Sequence, residues 1–363
     1  MAKKITVKLV EKSYPIFIGD DSLSKLVDAI NSKSISKCLV VVDKNVEKHH
    51  SVLIRKFLAS LNCKVNRYDF NAVESNKSLR QLSKILTFLS QNFYGRDSAL
   101  IAIGGGITGD ISGFAASIFM RGIPFYQVPT TLLSMVDSSA GGKTGINFDN
   151  KKNLIGSFYQ PEAVYIHNPF LASLPKREVI CGAGEIFKYA FLADENNYRL
   201  LKKNLSQIFS GKGFNENDTI KSCLQIKASI VEYDEKETTG LRKILNLGHT
   251  FAHAFEVESK HKLKHGEAVI AGIYCAFFLS NLLGYLSDQK LNQIISDFSF
   301  IKPSSQIQKM DAERVYELMI GDKKNSAGKI KLVLLEEIGN IIVDVTADRN
   351  QIYNSIAKMK KLI

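Results

Sequence analysis

Apolar residues in the first 130 positions fall into short blocks separated by stretches of helical period. Positions 38–42 (CLVVV) and 99–103 (ALIAI) are unbroken apolar runs, and 5–10, 14–18, 64–68 and 125–128 are shorter or mixed ones; each predicts a strand. Between them, 22–30, 46–61, 79–93 and a segment ending at 119 space their apolar residues three and four apart, as a helix covering one face does. Strands apolar on both faces and separated by helices predict a parallel sheet with helices on either side. Beyond Pro169 the period changes. Segments 176–192, 198–209, 218–233, 245–258, 267–283, 291–298 and 312–320 all carry helical spacing. Only 330–335 reverts, its Ile, Val and Leu predicting a late strand or hairpin beside Gly328 and Gly339. The expectation is an α/β N-terminal domain over residues 1–170 and a mostly α-helical C-terminal domain over 171–363. At 363 residues the chain exceeds the size one core usually reaches, which agrees with two domains.

One stretch, 268–286, is almost continuously apolar and long enough to raise a membrane span. Ser280, Asn281 and many small residues instead predict a helix buried on all sides, with no membrane partner. Overall the chain is 45% hydrophobic and 23% charged, an ordinary globular composition. The net charge of +12 raises nucleic acid as a partner. Its basic residues, however, come as scattered pairs (Lys151-Lys152, Lys202-Lys203, Lys323-Lys324, Lys360-Lys361) without interleaved aromatics, which argues against that partner. A basic enzyme acting on anionic metabolites accounts better for the charge. Cys38, Cys63, Cys181, Cys223 and Cys275 include no CxxC pair, so reduced thiols and a cytoplasmic location are expected. Residues 1–10 read as strand and contain no apolar leader, so no signal peptide is expected.

Chemistry concentrates in a few runs. At 128–147, VPTTLLSMVDSSAGGKTGIN brings hydroxyls, a carboxylate, a Gly-Gly bend and a lysine together with little apolar period, as a turn holding an anion would. Residues 99–110 run strand, glycines, helix, and Gly104, Gly106 and Gly109 satisfy GxGxxG. Such a Rossmann-like turn lets the backbone and a helix N-terminus meet a diphosphate, although a tight turn without ligand has the same form. The acidic ribose partner usual some twenty residues later is missing, and Asp43, ending an earlier strand, is a substitute. Leu247-Gly248-His249-Thr250-Phe251-Ala252-His253 sets two imidazoles four apart on one helical face. With Glu185 and His265 from other helices they suggest an open zinc site; a hydrogen-bonded core pair is the plain alternative, and His261 competes with His265. Lys188, three after Glu185, and Asn246, three before His249, share faces with these residues. Met singly, Glu74, Lys77, Lys227 and Arg242 are ordinary surface positions.

Taken in order, GGG…GD, RG, PTTLL…VD, GGKTGIN, KN…G, LP.RE, G.GE..KY, LR..LNLGHT..HA.E, HGE and DKK resemble the 3-dehydroquinate synthase family from Gly104 to about Lys324. The resemblance implies a dehydroquinate synthase-like fold and conversion of 3-deoxy-D-arabino-heptulosonate 7-phosphate to 3-dehydroquinate and phosphate, in the shikimate pathway. The implied course is transient oxidation by NAD, phosphate elimination, re-reduction and intramolecular aldol closure. It further implies zinc, replaceable by Co²⁺, on Glu185, His249 and His265. The implied NAD contacts are Asp43, Glu74, Lys77, Gly106, Ile107, Thr108, Gly109, Asp110, Thr130, Thr131, Lys143, Lys152 and Asn153. Substrate carboxylate would fall to Arg242 and Lys227, and hydroxyls to Asp137 and Lys188. Phosphate would fall to Asn246, His253, Lys143, one of Lys323 or Lys324, and Arg121 of a neighbouring subunit in a homodimer. Another sugar-phosphate cyclase or a metal-dependent polyol dehydrogenase is the alternative. The chain departs from the family pattern at Ser139-Ala140, at one extra residue between Glu237 and Arg242, and at His167.

Overall fold

The unbroken apolar runs become interior strands of a sheet, with every residue from Cys38 to Val42 fully buried. The computed structural model describes residues 2–149, 151–321 and 330–363. The chain runs through β1 (Lys3–Val7), β2 (Tyr14–Ile18), α1 (Ser22–Asn31), β3 (Lys37–Asp43), α2 (Lys44–Ala59), β4 (Lys64–Phe70) and α3 (Leu79–Gln91). It continues through β5 (Ala99–Gly104), α4 (Gly106–Ile118), β6 (Phe125–Pro129), β7 (Lys143–Phe148), β8 (Lys151–Phe158) and β9 (Ala163–Ile166). Then follow α5 (Lys176–Tyr189), α6 (Glu195–Phe209), α7 (Glu216–Tyr233), α8 (His249–Glu258), α9 (His265–Leu282), α10 (Asp288–Asp297) and α11 (Ala312–Ile320). Strands β10 (Leu332–Glu337) and β11 (Asn340–Val345) and helix α12 (Arg349–Lys360) complete the described chain.

The chain divides into two units, Met1–Pro175 with Glu216–Lys236, and Lys176–Asn215 with Glu237–Ile363. In the first, the sheet order is β1-β2-β9-β6-β5-β3-β4, parallel except for the β1–β2 pair. From β3 the chain steps outward to β4, then returns to set β5 on the other side of β3. That reversal leaves a crevice at the carboxyl ends of β3 and β5, where open α/β sheets bind ligands. A division at residue 170 would leave α7 with the helical half. It belongs instead to the sheet unit: Lys3 of β1 pairs with Asp218, and the Lys8 amide donates to Glu232 Oε1 at 2.8 Å. The β7–β8 hairpin was not visible in the 128–147 pattern, because its strands are rich in glycine, lysine and asparagine and β8 is largely exposed.

In the second unit α9 is buried without a break from Ala268 to Ser280, as expected of a helix enclosed on all sides. Among the described residues no helix is long and apolar enough to cross a membrane. The late strand expected at 330–335 is β10, in a hairpin with β11. The helix expected over 245–258 begins only at His249, since Gly248 takes a left-handed conformation (φ +76°).

Candidate active site

Glycines set the geometry of the second unit's site. A Cβ on Gly184 would lie 2.3 Å from the Gly266 carbonyl oxygen, and one on Gly266 would lie 1.8 Å from that of Cys181. Helix α5 therefore meets the start of α9 backbone to backbone, bringing Glu185 beside His265. A Cβ on Gly248 would lie 2.5 Å from the Ile273 nitrogen, which seats the first turn of α8, and with it His249, against α9. The result is a donor set in which one ligand atom each from Glu185, His249 and His265 lie within 4.8 Å of one another. Glu185 Oε1 is 3.4 Å from His249 Nε2 and 3.0 Å from His265 Nε2.

Lys188, 2% exposed, pairs with the other Glu185 oxygen and lies 4.6 Å from the centroid of the Tyr189 ring. Burial would raise the Glu185 carboxyl, but Lys188 and His249 hold it well below its ordinary value. Burial pulls His249 down to about 4, outweighing Glu185. His265 experiences the same desolvation, yet hydrogen bonds to Glu185 and Glu256 push it up to about 10. A carboxylate and two imidazoles presenting Nε2 to one point fit a Zn²⁺ or Co²⁺ ion with a coordination position left for substrate. Exposed His261, in the loop after α8, is not part of the set. In the 3₁₀ turn Leu241–Asn246 ahead of α8, Arg242 is 1% exposed with Glu237 Oε1 3.7 Å from its Nε. Asn246 ends that turn half-buried, and the His253 ring stands edge-on to His249 with centroids 5.8 Å apart.

In the first unit, Gly104 ends β5 and Gly105 caps α4, whose first-turn N–H groups have no intrahelical acceptor. A Cβ on Gly105 would lie 3.1 Å from Thr131 Cγ2 and one on Gly106 would lie 2.9 Å from Ser138 Oγ. That serine hydroxyl is buried and finds no hydrogen-bond partner among the described residues. The Thr130 amide donates to the Gly104 carbonyl at 3.0 Å, joining the β6 end to the glycine turn. Asp43 closes β3, buried, its carboxylate accepting from the Asn45 amide at 2.9 Å; burial raises its pKa. Bare backbone, an orphan hydroxyl and an acceptor at neighbouring strand ends fit a dinucleotide.

Beside the turn, Lys77 Nζ is 2.5 Å from Asp110 Oδ2 and also bonds Asn153 Oδ1. Burial raises the Asp110 carboxyl against the pull of Lys77. Lys227 Nζ lies 2.9 Å from both Oδ1 and the backbone oxygen of Asp137. Lys143 and Lys152 are exposed on the β7–β8 hairpin.

Two family descriptions match, 3-dehydroquinate synthase N-terminal over residues 67–181 and 3-dehydroquinate synthase C-terminal over 182–325. A 3-dehydroquinate synthase of Pelagibacter ubique (strain HTCC1062) is 45% identical over 355 residues, 93% of each chain. The chain belongs to the 3-dehydroquinate synthase family. Members of that family are lyase-type enzymes, and their name places them in the shikimate pathway. The fold is also that of 2-deoxy-scyllo-inosose synthase solved with carbaglucose-6-phosphate, NAD⁺ and Co²⁺, at TM-score 0.85 and 21% identity over 98% of this chain and 100% of that one. A 2-epi-5-epi-valiolone synthase from Streptomyces hygroscopicus subsp. jinggangensis 5008, solved with NAD⁺ and Zn²⁺, gives TM-score 0.85 and 24% identity over 98% of both chains.

Within this 3-dehydroquinate synthase fold the structure gathers Glu185, His249, His265 and Lys188 at one point. It also gathers Glu74, Lys77, Asp110 and Asn153 into one network, and Asp137 with Lys227. Lys323 and Lys324 lie outside the described residues. Arg121 is exposed in a turn where Met120, Arg121 and Gly122 take φ of 52°, 65° and 119°.

Two residues of evident structural importance went unassigned in the sequence. Asn147 donates to Glu74 Oε1 at 2.7 Å, accepts from the Asn153 amide at 2.9 Å, and its own amide reaches the Lys77 carbonyl at 2.7 Å. No local signal marks such a hub, because its partners come from separate segments. Glu256 bonds His265, and a signal existed: His249, His253 and Glu256 stand at 0, +4 and +7 on one helical stripe.

Proposed function

We propose that this chain converts 3-deoxy-D-arabino-heptulosonate 7-phosphate to 3-dehydroquinate and inorganic phosphate. The observation that carries this reading is the donor set of buried Glu185, buried His249 and half-buried His265 in the same unit as the buried cations Lys188 and Arg242. Fixed positive charge near a metal site suits a substrate bearing both carboxylate and phosphate, whereas a polyol offers nothing for it to neutralise.

The sheet unit would hold NAD⁺ on Asp43, Glu74, Lys77, the glycine turn through Asp110, Thr130, Thr131, Lys143, Lys152 and Asn153. The helical unit would hold the divalent cation on Glu185, His249 and His265. When bound, NAD⁺ supplies reversible oxidation of one substrate carbinol and the metal polarises its oxygen, with no net redox change over the cycle. Arg242 presents its planar fork to the carboxylate. Asn246 and His253 offer hydrogen bonds to phosphate oxygens, a role shared with Lys143 and one of Lys323 or Lys324. Lys188, held against Glu185, keeps a proton donor beside the substrate hydroxyls, as Asp137 and Lys227 would from their own pair.

The same reading makes the enzyme a homodimer in which Arg121 serves the neighbouring subunit's phosphate site. Two successive non-glycine residues in left-handed conformation are strained, and such strain clusters at functional positions. Nearby, Ile118 and Met120, and Leu154 and Phe158 of β8, are each more than 40% exposed, an apolar surface suited to a second copy.

Offering the acidic heptulosonate phosphate and a neutral seven-carbon sugar phosphate side by side, with NAD⁺ and Zn²⁺, tests the substrate assignment. Phosphate release from the acidic compound alone is expected. Equal or faster release from the neutral one would assign the chain to another sugar-phosphate cyclase activity.

A further inference from the structure

His265 has both ring nitrogens engaged. Its Nε2 faces Glu185 Oε1 at 3.0 Å, and its Nδ1 lies 3.0 Å from Glu256 Oε1. An ionised carboxylate accepts and never donates, and both nitrogens face one; once a cation takes the Nε2 lone pair, the single proton of the neutral ring is left on Nδ1, where Glu256 accepts it. His249 reaches the same state differently: its Nδ1 lies 3.2 Å from the Leu247 carbonyl oxygen and its Nε2 turns toward Glu185. A backbone carbonyl thus orients one imidazole, and a carboxylate only 4% exposed orients the other. The asymmetry follows exposure, since the His265 side chain is 32% exposed against 10% for His249. The ring with less packing around it carries the stronger outer acceptor.

We propose that Glu256 is a positioning residue for the metal centre: it locks His265 as the Nδ1–H tautomer, aims Nε2 at the ion and adds negative charge behind that ligand. This rests on reading Glu185, His249 and His265 as metal ligands. Outer partners of ligating histidines typically change metal affinity 10- to 100-fold when removed.

The test uses Zn²⁺ and Co²⁺ alone, competed against a chromophoric chelator, on the full chain without NAD⁺ or substrate. Glu256→Ala is expected to weaken binding about 10- to 100-fold and to alter the Co²⁺ absorption bands. Glu256→Gln, whose amide oxygen still accepts from Nδ1–H, is expected to recover most of that loss. Independently of any variant, ¹⁵N spectra of the Zn²⁺-loaded parent are expected to show His265 protonated at Nδ1; this stands even if Glu256→Ala does not fold. An Nε2-protonated His265, unchanged affinity in Glu256→Ala, or a Gln variant no better than Ala while both melt like the parent would overturn the proposal. His249→Ala is the control: if it binds metal as tightly as the parent, or the parent binds none, the metal site itself is misread.

Discussion

Arg242 is 1% exposed, and a guanidinium stays charged at any working pH. Glu237 Oε1 lies 3.7 Å from the Arg242 Nε, and in the proposed function the substrate carboxylate would be a further acceptor for the guanidinium fork. Glu237 has φ +57° and Gly240 φ +85° in the loop that sets Glu237 beside Arg242. Replacing Arg242 with Ala should lower kcat/KM for the acidic substrate by about 2–3 kcal/mol, on the order of a hundredfold, the size of a lost charged hydrogen-bond pair. Steady-state phosphate release from parent and variant measures it; an undiminished rate would remove Arg242 from substrate binding. At this scale the sequence was readable where chemistry is dense and local. The Glu185, His249 and His265 set is assembled as expected, whereas Asn147 was invisible because its work is done between segments.

Between elements, glycine contacts fix the distances. Gly266→Ala would place a Cβ 1.8 Å from the Cys181 carbonyl oxygen, so α5 and α9 must part. An overpacked contact of this kind should destabilise the protein by about 1–3 kcal/mol, and the separation of Glu185 from His265 should weaken metal binding as well. Urea unfolding together with chelator competition checks both; a variant matching the parent in each would contradict the packing account. Strands β3 and β5 and helix α9 were legible because burial on all sides leaves long apolar runs. The β7–β8 hairpin was not, because its strands are rich in glycine, lysine and asparagine and β8 is largely exposed. Helix α7 was read as a helix but joins the sheet unit, since which surface an amphipathic helix covers is decided by tertiary packing. Helix α12 does bury Ile352, Ile356 and Met359 at helical spacing, a signal present in the sequence but too short to stand out.

For the whole molecule, the proposed function divides the chemistry between a dinucleotide cradle in one unit and a metal-and-cation centre in the other, and on the same reading the strained Arg121 turn would serve a second copy. If Arg121 acts across subunits, mixing Arg121→Ala with His249→Ala after subunit exchange should restore activity, because one site in each mixed dimer has both groups. No recovery, with exchange verified, would return Arg121 to capping the end of its own helix. On the proposed function the enzyme is a redox-neutral lyase. The most direct test of that reading follows inorganic phosphate and NADH absorbance together, with the heptulosonate phosphate, Zn²⁺ and catalytic NAD⁺. Many phosphates released per enzyme with no accumulating NADH are expected. Phosphate absent, with NADH rising when a polyol is offered instead, would contradict it.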